Sequence, residues 1–196
     1  MKNYSWCVYT YRHRRAFSYL CEKLLAEGEI KEEMRKRAEV HDLDKLLLYQ
    51  FLDAVESQQY HIAHKGHHIE SGECTDYLNM LEMVIDFESA PYTKPDKPMN
   101  AYDFVHKLLD MGLVEADFAD RLFEIMHELG IDSSYAIVPE ESALMYIGDE
   151  ETVTEEMILL ELFNYVNNNQ TPELKYIAEK NDFSIRKNAG CGIINR

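Results

Sequence analysis

Apolar residues recur along most of this chain with the spacing of an amphipathic helix. Near the N-terminus, Phe17, Leu20, Cys21 and Leu24 lie three or four positions apart and so share one helix face. This helix is predicted to run from about residue 4 to residue 27, because Gly28 supplies a stop signal. The same spacing returns in later segments, each bounded by Gly, Pro or a capping residue. The pattern therefore predicts a mainly all-α fold.

Two histidines fall on these apolar faces. His13 lies four positions before the first of the apolar residues in the first helix. His41 ends a second apolar stripe, which starts at Ile30. Both imidazoles are therefore predicted to face the interior. A third helix is expected from Lys45 to about Lys65, where Gly66 would break it.

The last third of the chain has a less regular pattern. Tyr135–Val138 and Ala143–Ile147 are short apolar runs that predict a small β-hairpin. The pattern from Thr152 to Glu155 resembles a capping box and predicts another helix after it. We therefore expect two parts, a helical core over residues 1–130 and a C-terminal appendage over residues 131–196, whose role the sequence does not indicate.

The charge is acidic and unevenly distributed. The formal net charge is −16, and the first 50 residues hold ten Lys or Arg against eight Asp or Glu, whereas the remainder holds ten against twenty-eight. An acidic surface repels a long phosphate backbone, which argues against general binding to DNA or RNA. A small phosphorylated ligand could still be held near the basic N-terminal region.

Cysteine usage and hydropathy bear on the compartment. Cys7, Cys21, Cys74 and Cys191 are scattered, without a C-x-x-C pair or a disulfide framework, which favours a reducing compartment. The apolar runs are far shorter than a membrane span, and the N-terminal residues do not resemble a signal peptide. We therefore expect a cytoplasmic protein without a membrane partner. An oligomeric state is left open.

Four side chains from different segments are typical of metal ligands. His13 and His41 offer nitrogen, and Asp42 and Asp86 offer oxygen. Adjacent residues such as His41 and Asp42 do not share a helix face, but at a helix end their side chains can converge on one ion. Mixed nitrogen and oxygen ligation suits Mn, Zn, Fe, Co or Ni. The pattern predicts a site for one or two divalent transition-metal ions among packed helices.

The pattern of His13, His41-Asp42 and Asp86 resembles the H…HD…D motif of the HD-domain superfamily of metal-dependent phosphohydrolases, including small HD-like proteins of bacteria and phages. The run from His41 to Lys45 is similar to the HD-x-x-K version of the motif. The resemblance covers roughly residues 10–90 and implies an HD-domain-like helical bundle that binds metal within residues 1–130. The implied reaction is hydrolysis of a nucleotide or other small phosphorylated metabolite by a metal-activated water.

The resemblance also implies roles for charged residues near the motif. Asp42 would bind metal and orient the attacking water, and Lys45 would contact the substrate phosphate, so both are candidate catalytic residues. Arg12 and Lys65, together with Lys45, are candidates for substrate binding. Each of these cations could instead be an ordinary solvated side chain.

A histidine-rich segment follows the HD pair. Four of the eight histidines fall between His61 and His68, and two-metal branches of the superfamily place additional histidines in this interval. His64, His67 and His68 are therefore candidate ligands of a second ion, and His61 is left out of the set. The alternative interpretation is a polar, solvent-facing cluster.

Two other functions stay open. A minority of HD-like proteins hold two irons and act as oxygenases, and additional histidines suit that chemistry. The protein could also be a non-catalytic module that binds a nucleotide or a partner protein, as phage inhibitors do. Two tightly held irons would favour the oxygenase, and an absence of bound metal would favour the binding module. The pairs Asp103-x-x-His106 and Glu124-x-x-His127 resemble those of di-iron bundles, but the helix predicted around His106 is too short for one.

Overall fold

The computed structural model of the protein describes residues 1–94, 96–168 and 171–181. Over these ranges the chain forms ten α-helices and three short 3₁₀ helices, and no strand, so the prediction of an all-α fold is confirmed. The α-helices are α1 (Tyr4–Leu24), α2 (Glu29–Val40), α3 (Leu43–Leu48), α4 (Ala54–His64), α5 (Tyr77–Ser89), α6 (Ala101–Asp110), α7 (Ala116–Glu128), α8 (Glu141–Ile147), α9 (Glu155–Asn168) and α10 (Pro172–Asn181). The 3₁₀ helices are Ile69–Ser71, Ala90–Tyr92 and Glu150–Thr152. None of these helices combines the length and apolar character needed to cross a membrane.

Helix α1 is the centre of the packing. It contacts α2, α3, α5, α8 and α9. Phe17 and Leu20, in its C-terminal half, join a core built with α2, α5, α6 and α7. Val8 and Tyr11, in its N-terminal half, join a second core built with α3, α9 and α10. His13 lies between these two sets of apolar residues and is only 4% exposed. A buried polar side chain therefore sits where the two cores meet.

Residues after position 130 contribute to both cores. Ile137 and Ile147 are buried in the first core, and Val153 and Ile158 are buried in the second. Among the cysteines, Cys7, Cys21 and Cys74 are buried free thiols, and Cys191 lies outside the described residues. The division into residues 1–130 and 131–196 stays a prediction, while the described part of the second segment packs against helices of the first.

The predicted β-hairpin is wrong. Residues 141–147 form α8, in which Ala143 and Ile147 are buried one helical turn apart. Residues 135–138 lie in an irregular segment, where Ala136 makes an isolated antiparallel bridge with Met99. The apolar runs were too short for their periodicity to distinguish a strand from one or two turns of helix.

The helix predicted from Lys45 to Lys65 is two helices. α3 ends at Leu48, and α4 starts after Asp53. The side chain of Asp53 accepts a hydrogen bond of 2.8 Å from the backbone amide of Glu56, which is the geometry of a helix N-cap. The break lets α4 change direction, and it brings the inner face of α4 over the start of α3.

A buried carboxylate connects α5 to α6. Glu88 accepts one hydrogen bond of 2.8 Å from the backbone amide of Ala101, at the start of α6, and one of 2.6 Å from the hydroxyl of Tyr135. The amides at a helix start lack partners within the helix, and the helix dipole favours a negative charge there. This contact holds Phe104 of α6 edge-on against Phe87 of α5, with ring centroids 4.6 Å apart.

We expect Glu88→Ala to lower the free energy of unfolding by roughly 1–3 kcal/mol, because the buried amide of Ala101 and the partly exposed hydroxyl of Tyr135 lose their acceptor. Glu88→Gln keeps one acceptor oxygen and should cost less. Urea denaturation followed by circular dichroism measures both. The control is Glu156→Ala, an exposed glutamate of α9 whose removal should change stability by at most about 0.5 kcal/mol. Equal effects of Glu88→Ala and the control would contradict this assignment.

Candidate metal centre

Four of the predicted ligands meet where α1, α5 and the α2–α3 junction come together. His13 Nε2 lies 2.7 Å from Asp86 Oδ1 and 3.8 Å from Asp42 Oδ2. His41 Nε2 lies 3.6 Å from the same Asp86 oxygen. The fold therefore brings together side chains that are up to 73 positions apart in the sequence.

The junction between α2 and α3 directs two adjacent side chains to one place. His41 is the C-cap residue of α2, and the next residue, Asp42, has a φ of +57°, in the left-handed region. A residue other than glycine pays roughly 1–2 kcal/mol for this conformation, and such residues cluster at functional sites. Arg14 of α1 donates hydrogen bonds to the carbonyls of His41 and Glu39 and so secures the end of α2.

Further histidines extend this group. His61 of α4 places Nε2 3.0 Å from Asp42 Oδ1. His67 and His68 lie in the loop after α4, with ring centroids 4.4 Å apart. The ligand atoms form three sets of three, and within each set all atoms lie within 4.8 Å of one another. The sets share His41 and His67, and so they join these histidines to the first four residues. We call the whole set the His–Asp cluster, which consists of His13, His41, Asp42, His61, His67, His68 and Asp86.

Gly66 lets the loop after α4 return to the cluster. A Cβ atom at this position would lie 2.8 Å from Nδ2 of Asn79 on α5, closer than packed atoms allow. The absence of a side chain therefore permits the loop backbone to run against α5. His67 and His68 follow directly and face the interior.

Two carboxylates behind the cluster orient three of its imidazoles. Glu82, one turn before Asp86 on α5, accepts a hydrogen bond of 3.0 Å from Nδ1 of His41 and lies 3.1 Å from Nδ1 of His67. Asp44 accepts a hydrogen bond of 2.9 Å from Nδ1 of His61. With Nδ1 of each ring facing a carboxylate, Nε2 is directed into the cluster, where it can bind a metal ion once it carries no proton.

The inward-facing atoms have no hydrogen-bond partner among the described residues. They are Nε2 of His41, His61, His67 and His68, and Oδ1 of Asp42. Nε2 of His61 and Oδ1 of Asp42 are 3.0 Å apart but lack the geometry of a hydrogen bond. Buried polar atoms are nearly always satisfied, because leaving one unpaired costs about 1–3 kcal/mol. Converging lone pairs of nitrogen and oxygen fit a transition-metal ion.

The electrostatics of the cluster also favour a cation. Three of the buried carboxylates have a basic partner within 4.0 Å, in the pairs Asp42–Lys45, Asp44–Lys65 and Glu82–Arg37. Asp86 has only the imidazoles of His13 and His41 within that distance, over the described part of the chain. Burial would raise the pKa of Asp86, but these imidazoles lower it well below its usual range. The cluster therefore holds a carboxylate whose charge lacks a Lys or Arg counterion.

The protonation of the histidines follows from the same surroundings. Burial would lower the pKa of His41, but the carboxylates of Asp42, Asp86 and Glu82 raise it to about 10, so without metal this ring is protonated and its charge faces Asp86. A metal ion bound through Nε2 would displace that proton. Burial, helped by His67, lowers the pKa of His68 to about 3, so this imidazole is neutral and able to bind metal.

A cavity of about 540 Å³ opens over the cluster. His13, Asp42, His68 and Asp86 lie in its lining, and Lys45 lies beside them, with Nζ 2.9 Å from Asp42 Oδ2. The other side of the cavity is rich in aromatic rings, which belong to Trp6, Tyr9, Tyr49, Phe87 and Phe104. A small molecule in this cavity would contact the cluster, a cation and an aromatic wall.

His64 lies outside the cluster, whereas His61, which the sequence analysis left out, lies inside it. His64 is exposed at the end of α4, and its Nδ1 donates a hydrogen bond of 2.7 Å to the carbonyl of Tyr60. The sequence analysis kept His64 as a candidate ligand and left out His61. The choice depends on the rotation of α4 about its axis, which the break after α3 determines.

Two predicted substrate-binding residues do not line the cavity. Arg12 donates a hydrogen bond of 2.9 Å to the carbonyl of Gly148, and it connects α1 to the segment after α8. Lys65 donates a hydrogen bond of 2.9 Å to Glu173 of α10. Both cations therefore make structural contacts, and Lys45 is the predicted substrate-binding cation that reaches the cavity.

No family model, curated protein or solved structure matches this chain. The resemblance to the HD-domain superfamily rests on the motif residues alone and stays a prediction.

We expect Glu82→Gln to weaken divalent-metal affinity by roughly 10–100-fold, the usual effect of losing a carboxylate that orients ligating histidines. The amide cannot accept hydrogen bonds from both histidines and also from Arg37. Competition with a metal-sensitive chelator dye measures the affinity. Glu33→Gln, which changes a half-exposed glutamate of α2 that pairs with Lys36, should leave the affinity unchanged. Wild-type affinity in a folded Glu82→Gln protein would rule out this role.

Proposed function

We propose that this protein is a metal-dependent phosphohydrolase that acts on a nucleotide or another small phosphorylated metabolite. The observation that carries the proposal is the convergence of unpartnered imidazole and carboxylate atoms at the lining of an aromatic cavity. The cofactor would be one or two divalent transition-metal ions, such as Mn, Zn, Fe, Co or Ni. His13, His41, Asp42 and Asp86 would hold one ion, and Asp42 with His61, His67 and His68 would hold a second.

A bound divalent ion would lower the pKa of water from about 16 to about 7 and neutralise phosphoryl oxygens. The protein's own groups would position the reactants. Asp42, whose two oxygens face opposite parts of the cluster, is suited to orient the attacking water. Lys45 carries its charge at the cavity lining, where it would offset the negative charge of the phosphoryl group.

One observation favours a second function, that of a di-iron oxygenase. The triplet of His61, His67 and His68 is entirely nitrogen-based, and such ligation suits redox-active iron. The phosphohydrolase is preferred because two lysines of the lining, Lys45 and Lys94, offer cationic contacts to an anionic substrate. The cytoplasmic location and the absence of a long nucleic-acid partner stay predictions.

We expect the purified, metal-loaded protein to release phosphate from at least one member of a broad panel of nucleotides and phosphomonoesters. His41→Ala should reduce the rate to background, because it removes an imidazole that is proposed to bind the metal and whose ring is stacked in the core. His64→Ala removes an imidazole outside the cluster and should retain the wild-type rate.

Failure of the fully metal-loaded protein to cleave any compound of the panel would refute the hydrolase. Two tightly held irons together with oxygen uptake would then favour the oxygenase. Equal activity of the His41→Ala and wild-type proteins would place the reaction elsewhere in the molecule.

A further inference from the structure

A second cavity lies next to the one over the His–Asp cluster. It has a volume of about 660 Å³, and it shares four lining residues with the first cavity: Phe87, Ala90, Lys94 and Phe104. The remaining lining comes from the segment between α5 and α6 and from α6 itself. A ligand that occupies the first cavity therefore has a neighbouring space into which it can extend.

The second cavity is lined by three exposed lysines that lack an ion-pair partner among the described residues. Lys94, Lys97 and Lys107 line it. In the described ranges, none of the three has a carboxylate oxygen within 4.0 Å, although Asp96 also lines the cavity. Most of the other Lys and Arg side chains in the described ranges are in ion pairs. Three unpaired lysines around one concave surface favour an anionic ligand.

The wall between the two cavities is suited to a flat ring. Phe87 and Phe104 contribute to both linings and pack edge-on against each other. Lys94 holds its Nζ 4.5 Å from the centroid of the Tyr9 ring, at the side of the first cavity. Aromatic side chains bind nucleobases by stacking, largely without regard to the sequence of bases.

From this arrangement we propose that the second cavity binds a second phosphate group, so that the substrate is a short nucleotide with two separated phosphates. This inference rests on the proposed function, because it places the reacting phosphate at the His–Asp cluster and Lys45. The base lies against the aromatic wall, and the second phosphate lies among Lys94, Lys97 and Lys107. A long polynucleotide does not fit this picture, because the net charge of −16 repels an extended phosphate backbone.

An intrinsic fluorophore in the first cavity can report the binding of a ligand. Trp6 is the single tryptophan of the sequence, and it lines the first cavity. Its fluorescence should change when a ligand enters, whether or not the ligand is hydrolysed. The protein as purified, with its bound metal, is titrated with hydrolysis-resistant phosphonate analogues of three probes: adenosine 5′-monophosphate, adenosine 3′,5′-bisphosphate and the dinucleotide pApA.

We expect at least one of the two-phosphate probes to bind roughly tenfold more tightly than the monophosphate, the scale of an added charge-assisted contact. The double variant Lys97→Ala/Lys107→Ala should lose this preference and keep its affinity for the monophosphate. The matched control is Lys36→Ala/Lys175→Ala, which removes the same charge from exposed positions outside both cavities and should keep the preference.

Three outcomes would overturn the second subsite: equal binding of all probes, no binding of any probe, or equal loss of preference in the control. Failure of the second subsite can be distinguished from failure of the proposed function, because binding and hydrolysis are measured separately. Hydrolysis of monophosphates without a lysine-dependent preference removes the subsite and leaves the proposed function. Lysine-dependent binding without hydrolysis of any compound of the nucleotide and phosphomonoester panel removes the proposed function and leaves the binding site.

Discussion

The orientation of buried imidazoles by buried carboxylates is the interaction on which the rest of this site depends. Nδ1 of two histidines, His41 and His67, faces Glu82, and Nδ1 of His61 faces Asp44. Each ring then has one possible direction for its other nitrogen, which is toward the shared centre. Without these carboxylates the imidazoles could rotate or change tautomer, and the lone pairs would no longer converge.

The fold supplies this arrangement through helix ends more than through helix faces. His41 and Asp42 reach the same centre because the chain turns sharply between α2 and α3, with Asp42 in a left-handed conformation. His67 and His68 reach it because Gly66 lets a loop return against α5. Only His13, His61 and Asp86 project from within helices, and α1 holds the first of them where two apolar cores meet.

Burying these polar side chains costs folding free energy. Buried carboxylates and unpartnered imidazole nitrogens are destabilising in a core unless a cation compensates them. Lys45, Lys65 and Arg37 each offset one carboxylate, and Asp86 is left with histidines. Metal binding would replace the proton on His41 and satisfy the unpaired atoms, so folding and metal binding are expected to be coupled.

The sequence was informative where a side chain's position follows from periodicity or from a helix end. The all-α fold follows from apolar spacing, and the meeting of His13, His41-Asp42 and Asp86 was anticipated. The sequence could not distinguish Glu82 from an ordinary helix acid, because its contacts come from α2 and the loop after α4. The sequence analysis also chose His64 over His61. The correct choice depends on the rotation of α4 about its axis, which is set by the break at Asp53 and does not follow from the spacing of the histidines.

The most direct measurement of the central claim is elemental analysis of the purified protein and its variants. Our account predicts at least one transition-metal ion per wild-type chain, strongly reduced occupancy in His41→Ala and Asp86→Ala, and wild-type occupancy in His64→Ala. A wild-type protein that carries no metal, takes up none when it is offered and is unaffected by chelators would contradict the account.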